Sequence, residues 1–253
     1  MHIEALSVCV NFHDVLAFTL PANKSHFDRM VVVSDTTDEL TKNLCSHHHV
    51  ELVQTDQFYH SDQAFAKARG LNAGLQRLSR KGWIVHMDAD IVLPTRTREI
   101  LGRLPLDPTC IYGIDRMMCP DFGAYIRYMQ NPTQMHTAET FVIPEPFPLG
   151  ARVAPMQAGK LWMPIGFFQL WNPEGSGIHD YPHDHGTAGR TDMLHAMRWP
   201  REKRQLIPEL IAIHLEGPIA KGMKNWRGRR MGHFGPPPHQ DPHQPPPSTY
   251  CGE

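Results

Sequence analysis

Gly82-Trp83-Ile84-Val85-His86-Met87-Asp88-Ala89-Asp90-Ile91-Val92-Leu93-Pro94 decides how this chain reads. An apolar run opened by Gly82 and closed by Pro94 has the length and residue types of a buried strand, and it carries two carboxylates at i and i+2. In extended backbone Asp88 and Asp90 point to the same side. Two carboxylates on one side suit a hard divalent cation that is also held by phosphate oxygens, and burying both charges there without a cation is costly. An Asp-x-Asp triplet alone also caps helices and lines turns, so its weight comes from the strand in front of it.

Around this stretch the pattern alternates. Ile3 to Val10 reads as a first strand, Met30 to Val33 as a second that stops at Ser34-Asp35-Thr36-Thr37, and Val50 to Gln54 as a third. Ala64, Ala68, Leu71, Leu75 and Leu78 recur at helical spacing and predict an amphipathic helix over 63–79. The Asp88 strand follows, then Ile111 to Ile114. The region 115–160, rich in Met, Pro and aromatic residues without a clear period, is expected to be irregular, and Leu210 to His214 reads as a short last strand after a proline. Strands alternating with helices predict an α/β fold with a mostly parallel central sheet and flanking helices. Such open sheets bind ligands beyond the carboxyl ends of their strands, where Asp35 and the Asp88/Asp90 pair lie.

At 253 residues and 41% hydrophobic content the chain suffices for one domain with a sizeable core, expected over 1–232. Residues 233–253 are prolines broken by His, Gln and Ser, and are expected to form a disordered tail. A formal charge of -1 and a pI near 7.0 argue against a surface that traps nucleic acid or anionic membrane as a whole. No segment reaches the roughly 20 apolar residues needed to span a bilayer, and no signal peptide is apparent, so the chain reads as soluble and cytoplasmic. Cys9, Cys45, Cys110, Cys119 and Cys251 are odd in number with no CxxC pair, which predicts reduced thiols rather than a disulfide framework or structural zinc. His47-His48-His49, His239 and His243 read as solvated loop residues, since no acid or thiolate stands at ligand spacing.

Phe65-Ala66-Lys67-Ala68-Arg69-Gly70-Leu71-Asn72-Ala73-Gly74-Leu75 mixes cations and glycines into a good amphipathic pattern. Lys67 and Arg69 suit a diphosphate, with Asn72 on a neighbouring face. Gly70 and Gly74 each cost about 1 kcal/mol relative to Ala inside a helix, so close packing or a ligand accounts for them better than chance.

In this order the pieces resemble the glycosyltransferase A fold, a Rossmann-like nucleotide-diphospho-sugar transferase fold, particularly its galactosyltransferase-like and family 2 inverting members, over about residues 3–230. The resemblance implies a donor-binding half of about 1–115 and an acceptor half of about 116–232. It implies that the ends of the first two strands, with Asn11 and Asp35, flank the nucleoside. Lys67, Arg69 and Asn72 then contact the nucleotide, and Asp88 and Asp90 hold manganese or magnesium. Pro164 to Leu170 is similar to the small-residue strand beneath the donor sugar, which makes Gly166 a donor contact. Gly186 to Leu194 stands where the family places its acidic acceptor-side motif, and the implied catalytic base is Asp192, with His183, Asp184 and His185 as competitors and a helix N-cap as the structural alternative. His214 resembles the histidine that completes the metal shell, giving a site of two carboxylates, an imidazole and diphosphate oxygens.

The implied activity is transfer of a sugar from a nucleoside-diphosphate donor, UDP in the first instance, to an acceptor hydroxyl with inversion. Lys221 to Arg230 carries five cations and no acid. Trp226 and Arg227 there suit a lid over the donor diphosphate, a contact to nucleic acid bearing hydroxymethylated pyrimidines, or a solvated basic loop. Two other readings stay open: a non-catalytic nucleotide-sugar binder, and a nucleotidyltransferase, against which the absence of a Gly-rich phosphate loop after the first strand counts.

Overall fold

The computed structural model describes residues 1–59, 65–130, 152–153, 163–182, 188–215 and 233–236. The first half alternates: β1 (Ile3–Val8), α1 (His13–Asn23), β2 (Arg29–Asp35), α2 (Glu39–His47), β3 (Glu51–Thr55), α3 (Lys67–Leu75) and β4 (Trp83–Met87). The second half runs β5 (Ile91–Val92), α4 (Thr97–Arg103), β6 (Ile111–Cys119), α5 (Phe122–Gln130), β7 (Arg152–Val153), β8 (Phe168–Trp171), α6 (Pro173–Ser176), α7 (Thr191–Ala196) and β9 (Arg204–Leu215).

One sheet takes up all nine of these strands, in the order β3-β2-β1-β4-β8-β6-β9-β5 with β7 paired to β6. The half from β3 to β4 is parallel, with Leu6 opposite both Val31 and His86. β8 enters antiparallel between β4 and β6, β6 and β9 run parallel, and β5 closes the other edge against β9. The α/β class with helices on a central sheet is therefore the observed one.

Strand alternation sends side chains to two layers. Ala5, Val32 and Val85 pack with Leu16 and Leu20 of α1, Cys45 of α2 and Leu101 of α4. Leu6, Val31, Val33 and Ile84 pack on the other face with Ala68, Leu71 and Leu75 of α3. Fully burying a leucine such as Leu71 or Leu75 contributes about 1.5–3 kcal/mol, which exceeds the intrinsic penalty of a helical glycine. Both glycines of α3 are explained by this contact. A Cβ on Gly70 would run into the Phe58 ring, and one on Gly74 into Leu6 and Val33.

Several expected boundaries move. The helix expected over 63–79 is described as Lys67–Leu75, with 60–64 outside the described residues and a turn from Gln76. The region expected to be irregular from 115 onward instead continues β6 to Cys119 and then forms α5, whose Ala124, Tyr125 and Tyr128 are buried one turn apart. The last strand is 12 residues long rather than five. Its Pro208 does not break it, because the register jumps from Ile114↔Ile207 to Asp115↔Ile211 and leaves 208–210 bulged out of the ladder, where a missing N–H costs nothing. Within the tail expected from 233, residues 233–236 are described and 237–253 lie outside the described residues. Phe234 is buried against Phe18, Phe122 and Tyr125, and its N–H donates to Asp14 Oδ2 at 2.7 Å.

Candidate active site

The decisive stretch does not stay extended. β4 ends at Met87, residues 89–90 turn, and Ile91 starts β5 at the far edge of the sheet, so Asp88 and Asp90 take different partners rather than one side of a strand. α1 holds this turn. Thr19 Oγ1 donates to the Ala89 carbonyl at 2.6 Å, while Asn23 donates to the Ile91 carbonyl at 2.6 Å and accepts from the Leu93 N–H at 2.9 Å.

Lys67 opens α3 and is buried. Its Nζ lies 2.6 Å from Asp88 Oδ1 and 3.4 Å from Asp192 Oδ1. Burial works against the ammonium, but the two carboxylates outweigh it and raise its pKa above the ordinary lysine value. Asp192 is the second residue of α7. No side-chain cap bond forms at that helix start, so the N-cap alternative is not what Asp192 does. Its carboxylate instead sits on the Cα of Gly166, at a spot that a Cβ there would occupy. Only glycine at 166 leaves this seat free. Burial raises the Asp192 pKa, Lys67 pulls it down and Asp88 pushes it up again, leaving it at about 6.

Beneath these groups lies a polar layer that sequence reading missed. His86 stands two residues before Asp88 on the same side of β4, with Nδ1 3.9 Å from Asp192 Oδ1 and Nε2 3.9 Å from Asp88 Oδ1. Tyr181 Oη lies 2.9 Å from His86 Nδ1 and donates to Gln169 Oε1 at 2.7 Å. Gln169 Nε2 in turn donates to the Asp192 carbonyl at 2.9 Å and the Pro164 carbonyl at 2.8 Å. The Tyr181 ring stacks on His195 of α7 with centroids 3.8 Å apart. Burial, and then the Lys67 charge, hold His86 well below the usual imidazole range, so it is neutral at pH 7. The alternation His86, Asp88, Asp90 was the available signal for His86. Tyr181 and Gln169 stand singly in the sequence and give none.

Asp90 pairs with the last strand. His214 Nε2 is 3.0 Å from Asp90 Oδ2, and β5–β9 pairing sets Ile91 opposite His214. Burial opposes ionisation of Asp90, but His214 more than offsets it and the pKa falls. Asp90 Oδ1 and His214 Nδ1 are buried without a hydrogen-bond partner. Asp88, Asp90 and His214 thus do not gather as one three-ligand cluster among the described residues. The Asp90–His214 pair is held by a hydrogen-bond contact of 3.0 Å, and its carboxylate and imidazole are donor types that Mn²⁺ or Mg²⁺ takes, with Asp90 Oδ1 left unpaired for such a role.

Asn11 lies past the end of β1 and Asp35 is the last residue of β2, at the end of the parallel strands that Asp88 shares. Asn11 has a left-handed backbone (φ 59°), and its N–H donates to Asp38 Oδ2 at 2.7 Å. Asp35 Oδ1 accepts from the Thr37 N–H at 2.9 Å and from its hydroxyl at 2.7 Å. Exposed Tyr59 is close by, its pKa raised by burial of the phenol and by the charges of Asp35 and Asp38. Asn72 does not face outward: its amide donates to the Tyr181 carbonyl at 2.9 Å and accepts from the Tyr181 N–H at 2.7 Å. Arg69, half-buried on α3, makes no ion pair among the described residues. Trp226, Arg227, His183, Asp184 and His185 lie outside the described residues. No helix among the described residues is long and apolar enough to cross a membrane.

No family model matches the chain, and no curated protein matches it. Among solved structures, glucosyl-3-phosphoglycerate synthase from Mycobacterium tuberculosis, in complex with phosphoglyceric acid, is 12% identical, overlaps 84% of this chain and 71% of its own, and gives a TM-score of 0.40. A mycobacterial protein is 14% identical over 85% of this chain and 66% of its own, with a TM-score of 0.44. Mannosyl-3-phosphoglycerate synthase from Rubrobacter xylanophilus is 16% identical over 47% and 41%, with a TM-score of 0.37. At these scores the overlaps assign no residue and no activity to this chain.

Proposed function

We propose that this chain is a glycosyltransferase of the glycosyltransferase A type, moving a sugar from a nucleoside diphosphate, UDP in the first instance, to an acceptor hydroxyl with inversion. One observation carries the reading: beyond the strand ends, Lys67 joins Asp88 to an Asp192 carboxylate seated on Gly166, with the Asp90–His214 pair on the same Asp-x-Asp turn. In this reading 1–115 hold the donor and 116–232 the acceptor.

Asn11, Asp35 and Tyr59 frame the nucleoside, and Arg69 meets the diphosphate. Asp90 and His214 would hold Mn²⁺ or Mg²⁺, whose charge offsets that of the leaving diphosphate, while Asp88 stays paired with Lys67. Gly166, a donor contact in this reading, seats the Asp192 carboxylate where a side chain would stand and so sets it beside the donor sugar. Asp192 accepts the proton of the acceptor hydroxyl as that oxygen attacks the anomeric carbon. At a pKa of about 6 it is largely ionised at neutral pH while basic enough to help. Asn72, Gln169, Tyr181 and His86 hold this carboxylate in place without touching substrate.

The test is a thermal-shift and donor-hydrolysis screen with UDP-, GDP-, CMP- and TDP-sugars, each in manganese or EDTA. Stabilisation and slow release of one nucleotide only with metal is the expected result. An absence of any shift or release with every donor would overturn the proposal.

A further inference from the structure

β5 is only two residues long and ends the strand order beyond β9, to which it pairs at Ile91↔His214 and Val92↔Ile213. On its other side the last residue of α1 stands in for a strand. Asn23 Nδ2 donates to the Ile91 carbonyl at 2.6 Å and Oδ1 accepts from the Leu93 N–H at 2.9 Å, the two bonds that one residue of a parallel neighbour would make to positions either side of Val92. One turn earlier on the same helix face, Thr19 Oγ1 donates to the Ala89 carbonyl at 2.6 Å. From the sheet, the Leu215 N–H donates to the Asp90 carbonyl at 2.8 Å. Three successive carbonyls, those of Ala89, Asp90 and Ile91, are thus taken, two of them by α1 side chains that are each 1% exposed. All of these bonds go to backbone. The side-chain atoms they surround, Asp90 Oδ1 and His214 Nδ1, are buried without a hydrogen-bond partner among the described residues.

We propose that Thr19 and Asn23 are positioning residues for a divalent cation at Asp90 and His214: by gripping the 89–93 backbone from α1 they fix the Asp90 carboxylate against the imidazole without touching the ion. The inference rests on the metal part of the transferase reading, and on this chain's hydrogen bonds alone for the grip. So short a strand pairing holds little by itself, and a carboxylate that must be ordered on binding gives up affinity to that ordering. A support that merely closes the sheet edge is the competing account. Positioning is favoured because Thr19 acts at Ala89, outside β5 and next to Asp90, where there is no strand edge to close.

Titration of the full chain with Mn²⁺, followed by electron paramagnetic resonance with and without saturating UDP, reads the ion directly rather than through turnover. Thr19→Val keeps the shape and removes the donor; it should weaken Mn²⁺ binding roughly 10- to 100-fold, the usual effect of losing a group that holds a ligand in place, and Thr19→Ser should restore most of the affinity. Asn23→Leu should weaken Mn²⁺ likewise, and in it the Leu93 amide, followed by NMR, should exchange with solvent faster than in the native chain. Unfolding temperatures identify any variant that has lost its fold, and the Thr19→Val and Thr19→Ser pair then decides. Unchanged Mn²⁺ affinity in folded Thr19→Val, or an equal loss in Thr19→Ser, would overturn the positioning role. A Leu93 amide that exchanges as fast in the native chain as in Asn23→Leu would overturn the grip itself. A native chain that takes no Mn²⁺ while Leu93 stays protected through Asn23 would instead overturn the metal reading, and leave the grip as closure of the sheet edge.

Discussion

Asp192 gathers most of the local physics. Burial and Asp88 raise its pKa while Lys67 lowers it, and the balance near 6 puts its charge change just below neutrality. With Asp192 as the base of the proposed transfer, the carboxylate is the active form, and kcat/KM for the acceptor should rise as pH rises through about 6 and level off above it. Asp192→Asn should lose about 10²- to 10⁴-fold in transfer, the usual contribution of a positioned base, with donor Kd changing little. A comparable loss of donor binding would show that the carboxylate holds structure instead. His86 was legible only in outline, as a polar residue in step with two acids. Tyr181 and Gln169 were not legible, because a lone tyrosine or glutamine acquires its role from what the fold brings beside it. Asp88, Asp90 and His214 stood out in the sequence as residue types, whereas the Asp90–His214 contact did not, since a turn at 89–90 leaves no mark in an Asp-Ala-Asp triplet.

Among elements, α3 shows two effects of opposite sign. Replacing Gly70 or Gly74 with alanine gains about 1 kcal/mol of helix propensity. The same methyl enters Phe58 at one site, and Leu6 with Val33 at the other, and overpacking a filled core costs about 1–3 kcal/mol. The collision should win. Both alanine variants should melt lower in a thermal scan, Gly74→Ala the more, because Leu6 and Val33 are pinned in the sheet while a ring can swing. A rise in melting temperature would show that the helix shifts to make room. Periodicity announced α3 because Ala68, Leu71 and Leu75 recur along one face. It missed α5, whose apolar residues lie on both sides, Tyr125 and Tyr128 buried but Ile126 and Met129 exposed, and it shortened β9 because a proline reads as a stop until a partner strand shows the bulge.

For the molecule as a whole, Phe234 ties the chain's late residues to its first helix, through the Phe18 ring and the Asp14 carboxylate. Phe234→Ala should cost about 3–5 kcal/mol, the usual loss for a buried phenylalanine. At about 2–4 °C per kcal/mol for a chain of this size, that is a clear drop in melting temperature. Ending the chain after Gly235 should leave melting unchanged, while ending it before His233 should reproduce the Phe234 loss. Composition predicted where apolar residues stop. It could not show that a single phenylalanine on the polar side of that boundary finds a pocket made by residues far earlier in the chain.

The Asp90–His214 contact joins positions 124 residues apart. A growing chain therefore carries the first parallel strands and their acids long before their imidazole partner exists. Contacts of such long separation form late and slowly. On the ribosome the nascent chain would stay unable to grip a divalent ion until the last strand has left the tunnel and docked beside β5. Under the proposed metal reading, ion uptake would then double as a clock for the end of folding, and a chain cut short before His214 would be an inert intermediate.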